Sequence, residues 1–191
     1  MKLGYENNKE FYKKSIQKHG VSHKGVHWSS KYNQYIRFDI LTDFIRDTIN
    51  DSTIVDAGCG FGEYYFYLDK EGLLPKEYIG LDCEHAMIFR SLLRYPNLNF
   101  QVKNILEDHL FYADYYVCSG ALSILKKDEF YTFIKNCYNF SIKGFVFNFL
   151  TEDSFNNIDK KEVINFCKKL CPKIKIKENY LYNDMTIYLE K

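Results

Sequence analysis

Ile54-Val55-Asp56-Ala57-Gly58-Cys59-Gly60-Phe61-Gly62-Glu63 is the stretch on which the reading of this chain turns. A β-branched apolar run ends in an acid, three glycines follow at alternate positions, and Tyr64 to Leu68 continues as a helix-like segment. A strand feeding such a turn brings backbone close to a ligand, because glycine has no side chain to block the approach. The turn also presents the free N–H groups of a helix start, which suit an anionic or polar group. The stretch therefore reads as a cradle for a small molecule.

Outward from this turn, strand and helix alternate. Upstream, Ile36, Ile40, Leu41, Phe44, Ile45 and Ile49 recur at helical spacing, which predicts an amphipathic helix over about 31–49. Thr53–Asp56 is the first strand, and 62–70 the helix after it, stopped by Gly72. Tyr78–Asp82 is a second strand, 84–94 a helix ending before Pro96, and Asn99–Val102 a third strand. A fourth strand at Tyr115–Cys118 precedes a helix over 128–140 with Phe130, Phe133, Ile134 and Cys137 inward. Phe145–Phe149 is a continuous apolar run, as expected of a strand covered on both faces. A Lys-rich helix over 159–170 follows, then strands near Ile174–Lys177 and Met185–Glu190, joined too tightly for a crossover helix and so antiparallel. The alternation implies right-handed βαβ units, a seven-stranded, mostly parallel sheet and a three-layer αβα sandwich. One domain is expected over 1–191, with 1–50 as an N-terminal helical cap or lid and 51–191 as the core.

Composition limits what such a domain does. With 191 residues, 46% of them hydrophobic and 18% aromatic, the chain builds a sizeable core. No run of 18 or more apolar residues occurs, and the N-terminus lacks the apolar stretch of a secretion signal. The six cysteines show no CxxC pair or zinc spacing and read as reduced thiols of a cytoplasmic protein with no metal site. A net charge of +1 gives no global pull toward nucleic acid. The lysines near the N-terminus and over 160–177 read as solvated faces and a protected strand edge.

In a sheet of this kind ligands bind outside the carboxyl ends of the strands, so the residues ending each strand carry the functional signal. The first strand ends in Asp56 and the glycine turn. The second ends in Asp82, an acid placed to accept hydrogen bonds from both hydroxyls of a ribose. The third runs into Lys103-Asn104-Ile105, where Asn104 can face an adenine amino group and Ile105 pack on the ring. The fourth ends in Ser119-Gly120-Ala121, small residues that leave room for a ligand tail. A nicotinamide dinucleotide site requires G-x-G-x-x-G, but here Glu63 occupies the position of the third glycine. Asp56 would repel a pyrophosphate and would welcome a cationic ligand such as a sulfonium. No G-K-[ST] follows the turn, which excludes a Walker-type phosphate loop.

Asp56-x-Gly58-x-Gly60-x-Gly62, Gly80-Leu81-Asp82, Asn104-Ile105 and Ser119-Gly120 resemble the successive motifs of class I S-adenosylmethionine-dependent methyltransferases, in order, over about residues 52–190. Upstream, Gly25-Val26-His27-Trp28-Ser29-Ser30, Gln34 and Arg37-Phe38 resemble a little-characterised bacterial group of these enzymes. The resemblance implies a Rossmann-like fold with an antiparallel last strand, and S-adenosylmethionine as cofactor with S-adenosylhomocysteine as product. It assigns Gly58, Cys59 and Gly60 to the methionine portion, Asp82 to the ribose and Asn104 to adenine. Cys83 and Met87 would flank the adenine, Arg37 would meet the methionine carboxylate, and Trp28 would close the pocket.

Catalysis leaves a fainter trace. Transfer from a sulfonium is an in-line displacement in which positioning supplies much of the rate, and a base is needed only when the acceptor must lose a proton. The histidines at 19, 23, 27, 85 and 109 are candidates by type, with His23 and His27 on the expected lid. No N-P-P-[FYW] element follows the fourth strand and no Pro-Cys pair occurs, which argues against amino methylation of adenine or glutamine and against cytosine C5 transfer. The sequence thus points to methyl transfer onto a small-molecule acceptor, without nucleic acid or membrane partners. A binding protein that keeps the nucleoside pocket without transfer, and a nucleotide-dependent oxidoreductase, are the alternatives.

Overall fold

The computed structural model describes residues 31–152 and 156–191. Helix α1 (Lys31–Asp43) leads through a 3-10 turn (Arg46–Asp51) into β1 (Thr53–Ala57), followed by α2 (Glu63–Lys70), β2 (Glu77–Asp82), α3 (His85–Arg94) and β3 (Asn99–Val102). The second half continues with β4 (Ala113–Ser119), α4 (Lys127–Phe140), β5 (Ser141–Leu150), α5 (Lys160–Leu170), β6 (Lys173–Glu178) and β7 (Asp184–Glu190). The strands form one sheet in the order β3-β2-β1-β4-β5-β7-β6. Strands β1 to β5 pair in parallel, and β7 runs antiparallel to both of its neighbours.

Strand alternation divides the interior into two cores. Ile54, Tyr78, Tyr115, Val117 and Val146 pack under α1 and α2 with Phe38, Leu41, Tyr64 and Leu68. Val55, Ile79, Leu81, Tyr116, Phe145 and Phe147 pack under α4 and α5 with Phe130, Ile134, Val163 and Cys167. This is the three-layer sandwich that the alternation of elements predicts. Because β1 pairs with β2 on one side and β4 on the other, chain direction across the sheet reverses there, opening a crevice at the carboxyl ends of these strands.

Two local features depart from the periodicity. The helix expected over about 31–49 stops at Asp43 and continues as the 3-10 turn. The hydroxyl of Thr42 donates to the Phe38 carbonyl at 2.7 Å, and the Ile45 N–H bonds the Thr42 carbonyl three residues back. That tightening still leaves Ile45 and Ile49 buried. The buried face of α1 is Gln34, Arg37, Phe38, Leu41 and Thr42, whereas Ile36 and Ile40 are half-buried. Helix α1 is thus one member of a helical layer, packed against β4, β5 and α2.

Candidate functional site

The glycine turn is tied down by the strand beside it. The N–H groups of Gly58 and Cys59 both donate to the Leu81 carbonyl, at 2.8 and 3.0 Å. The Gly60 N–H donates to Asp82 Oδ2 at 2.9 Å, and the Glu84 N–H to Asp82 Oδ1 at 2.9 Å. The Ser91 hydroxyl on α3 holds the Gly60 carbonyl at 2.8 Å. Gly58 has a φ of +84°, and a Cβ there would lie 2.5 Å from the Ala121 Cβ. Its missing side chain makes room for the loop after β4 to close on the turn. A Cβ on Gly80 would fall 2.3 Å from the Phe100 ring, so that glycine lets β3 cover the strand beneath the turn.

A pocket enclosing about 1040 Å³, mouth included, opens at these strand ends. Its lining includes Asp56, Gly58, Cys59, Gly60, Asp82, Cys83, Met87, Asn104, Ile105, Ser119 and Gly120, which brings together every expected site residue but two. Trp28 lies outside the described residues, as do His19, His23 and His27. Arg37 does not line the pocket: its Nε and Nη2 donate to the two carboxylate oxygens of Asp184, each at 2.6 Å. This buried ion pair ties α1 to the start of β7. His85 and His109 are exposed and line no part of the pocket.

Each lining residue is positioned by identifiable bonds. Asp82 spends one lone pair of each oxygen on the backbone, and a carboxylate has about four acceptor sites, so further capacity faces the pocket. Burial pushes its carboxyl up, while the N–H donors of Glu84 and Gly60 pull it back. Asn104 holds its own turn: its Oδ1 accepts from the Leu106 N–H at 3.0 Å and its Nδ2 donates to Glu107 at 3.2 Å. Asn136 of α4 donates to the Ile105 carbonyl at 2.8 Å, fixing Ile105 as an apolar wall. Asn148, buried within the apolar run of β5, accepts from the Gly120 N–H at 3.0 Å and holds the turn after β4.

The electrostatics favour a cation. Asp56, Glu63, Asp82 and Glu84 line the pocket against a single lysine, Lys103, whose ammonium donates to the His109 carbonyl. Asp56 is 3% exposed and accepts a short bond from the Tyr78 hydroxyl. Burial raises its pKa to about 7 against the pull of that bond, and the nearby Asp82 adds to the rise. Glu63 is neutralised by Arg94 at 2.7 Å and Lys31 at 3.6 Å, and accepts from the Tyr35 hydroxyl at 3.1 Å. Burial pushes the thiols of Cys59 and Cys83 up, the latter to about 12; both are therefore neutral walls.

The lining residues not foreseen from sequence include Gln34 and Phe38 on α1, and Phe61, Glu63 and Tyr64 around the start of α2. The last three follow the glycine turn directly, so their position was available. For Gln34 the signal was a polar residue one turn from Phe38 on the buried face of α1.

Residues 54–144 match the methyltransferase domain family. Solved structures of the same fold include an N-methyltransferase, NodS, from Bradyrhizobium japonicum in complex with S-adenosyl-L-homocysteine. It is 13% identical with a TM-score of 0.72, over 96% of this chain and 98% of that one. Magnesium protoporphyrin IX methyltransferase from Synechocystis with bound S-adenosylhomocysteine is 12% identical with a TM-score of 0.68, over 95% and 94%. A TehB-like methyltransferase from Corynebacterium glutamicum is 15% identical with a TM-score of 0.66, over 97% and 100%. A sequence comparison with curated proteins finds no match.

Proposed function

We propose that the chain, whose residues 54–144 match the methyltransferase domain family and whose fold resembles that of solved methyltransferases, binds S-adenosylmethionine in this pocket and transfers the methyl group to a small-molecule acceptor. The observation that carries the reading is Asp82. Its carboxylate stands at the pocket with both oxygens anchored, one by the glycine turn and one by the start of α3, as recognition of a vicinal diol requires. The rest of the lining fits the same molecule. Met87 and Ile105 supply apolar walls for a flat ring, and the lining carries more acids than its one lysine. The small residues Ser119 and Gly120 border the β4 side.

The donor supplies an electrophilic methyl group on a sulfonium, and the chain's task is to hold it and admit an acceptor in line. Asp82 and the turn fix the nucleoside, while Asp56 keeps an acid beneath the turn. The net charge of +1 supports a small acceptor over nucleic acid. The lysine-bearing elements α5 and β6 lie at the opposite sheet edge, with β5 and β7 intervening. The cysteines carry no disulfide, in keeping with a reducing, cytoplasmic setting, and no described helix is long and apolar enough to cross a membrane.

Calorimetry with S-adenosylmethionine tests this. Binding is expected, and Asp82→Ala should weaken it by more than the roughly 1 kcal/mol of an isolated cap loss. A folded protein that binds neither S-adenosylmethionine nor S-adenosylhomocysteine would sink the reading. If it binds but forms no S-adenosylhomocysteine with any acceptor panel, the non-catalytic alternative holds instead.

A further inference from the structure

Two polar atoms on the β4 side of the pocket are buried without a hydrogen-bond partner among the described residues: Ser119 Oγ and Asn148 Nδ2. Ser119 lines the pocket, and Asn148 is its register partner on β5. By strand alternation Ser119 follows Val117, and Asn148 follows Val146, on the face that α1 covers. Asn148 is 1% exposed, set in the otherwise apolar run of β5. Its amide stands one bond behind the wall, since its Oδ1 accepts from the N–H of Gly120, itself a lining residue. The hydroxyls on the far side, Tyr180 and Thr186, bond each other at 2.8 Å. Native structures rarely keep a buried donor unpaired unless a ligand or water completes it.

Strand order separates the two reactants. From β3 to β4 the pocket is bordered by Asn104, Asp82, the glycine turn and Ser119, in that sequence. A donor whose nucleoside lies at Asp82, with its remainder along the turn, fills the β3, β2 and β1 ends. The β4–β5 end is left for the acceptor. We infer that Ser119 and Asn148 hold a carboxylate of the acceptor there, so that the reaction forms a methyl ester; this rests on the S-adenosylmethionine reading above. An amide N–H and a hydroxyl both donate, and a carboxylate accepts at about four sites. With one oxygen held, the other faces the sulfonium. Acids do not oppose it on this side: Asp56 is turned to the Tyr78 hydroxyl, and Asp184 is bound by Arg37. The other lining acids belong to α2, the end of β2 and the approach to α3. In the transfer a carboxylate lone pair forms the O–CH3 bond while the S–CH3 bond breaks and leaves its electron pair on sulfur. Anion and sulfonium become neutral ester and thioether, and no proton has to be removed.

Turnover of S-adenosylmethionine by the full chain, read as S-adenosylhomocysteine formed, tests this with matched acceptors on a flat and a flexible apolar body. These are benzoate, benzamide and benzylamine, and octanoate, octanamide and octylamine. The acids should react, giving methyl esters that mild alkali hydrolyses, and the amides and amines should not. Asn148→Asp keeps an oxygen for the Gly120 N–H but sets a carboxylate against the acceptor's own. It should lower kcat/KM for the reacting acid by about tenfold or more, the value of a hydrogen bond to a charged group. Ser119→Ala should lower it in the same direction. Calorimetric binding of S-adenosylhomocysteine should stay within about twofold in both variants, which also reports that they are folded. Turnover confined to amines, no turnover of either acid, or a loss of S-adenosylhomocysteine binding as large as the loss of turnover would overturn the assignment. Wild-type protein that binds no S-adenosylhomocysteine would instead overturn the S-adenosylmethionine reading itself.

Discussion

Asp56 is the residue at which the acid-rich pocket leaves a mark on stability. Its pKa rises from 3.8 to about 7 in the folded chain because burial disfavours the charged form. Between those values the folded state holds a proton that the unfolded state has released, so this group's contribution falls as pH rises through the window. Below about pH 4 both states are protonated and nothing is lost. Asp56→Asn keeps an oxygen for the Tyr78 hydroxyl and carries no charge. Its stability relative to the unmodified chain should therefore climb from near zero at pH 4 to on the order of 4 kcal/mol at pH 8. Urea unfolding of both proteins across that range measures the difference, and a difference that shrinks with pH would refute the assignment.

At the level of elements, the junction of α1 with β7 is the most consequential. Arg37 and Asp184 are 147 residues apart in the chain, both buried, and joined by two charge-assisted bonds. The pair ties α1, whose Gln34 and Phe38 line the pocket, to the start of β7. Removing one partner of a buried ion pair costs about 3–5 kcal/mol, whereas replacing both with apolar groups is often close to neutral. Asp184→Leu should destabilise in that range, because the guanidinium loses its carboxylate in a dry setting. Adding Arg37→Met should restore most of the loss in equilibrium unfolding. If the double variant is no more stable than Asp184→Leu alone, the pair is not what makes the junction sensitive.

At the scale of the molecule, β7, the seventh strand in chain order, lies inside the sheet. β7 pairs with β5 over Gly144–Leu150 and with β6 over Lys173–Glu178, and all its residues but the last are buried. Edge strands β3 and β6 carry exposed positions. In native-state hydrogen exchange, β7 amides should be protected like those of β5, by the global unfolding free energy, and those of β6 and β3 should exchange sooner. Exchange of β7 well ahead of β5 would mean that the antiparallel pair is a separate, weaker unit. The same interlocking makes folding depend on contacts between distant parts of the chain, which slows it.

How much of this was legible in the sequence follows from the range of each interaction. Strand and helix placement came through, because periodicity and glycine, proline and cap signals act over a few residues; the strand-end residues meet in one pocket because topology gathers the carboxyl ends of adjacent strands. Helix α1 was over-extended because a 3-10 turn keeps Ile45 and Ile49 inward just as a helix would. Arg37 and Gln34 show the limit most sharply. On one helix, three residues apart, they are equally plausible ligands by type, and only the arrival of Asp184 from the far end of the chain commits one to structure and leaves the other facing the pocket. The position of β7 between β5 and β6 is of the same kind: a tight connection dictates antiparallel pairing, but not which neighbour takes the other edge. The sequence alone thus determined the elements, the layers and the strand-end residues that line the pocket. Tertiary structure decided strand order at the carboxyl-terminal edge and the partner of each buried polar group, because those depend on chain segments meeting in space.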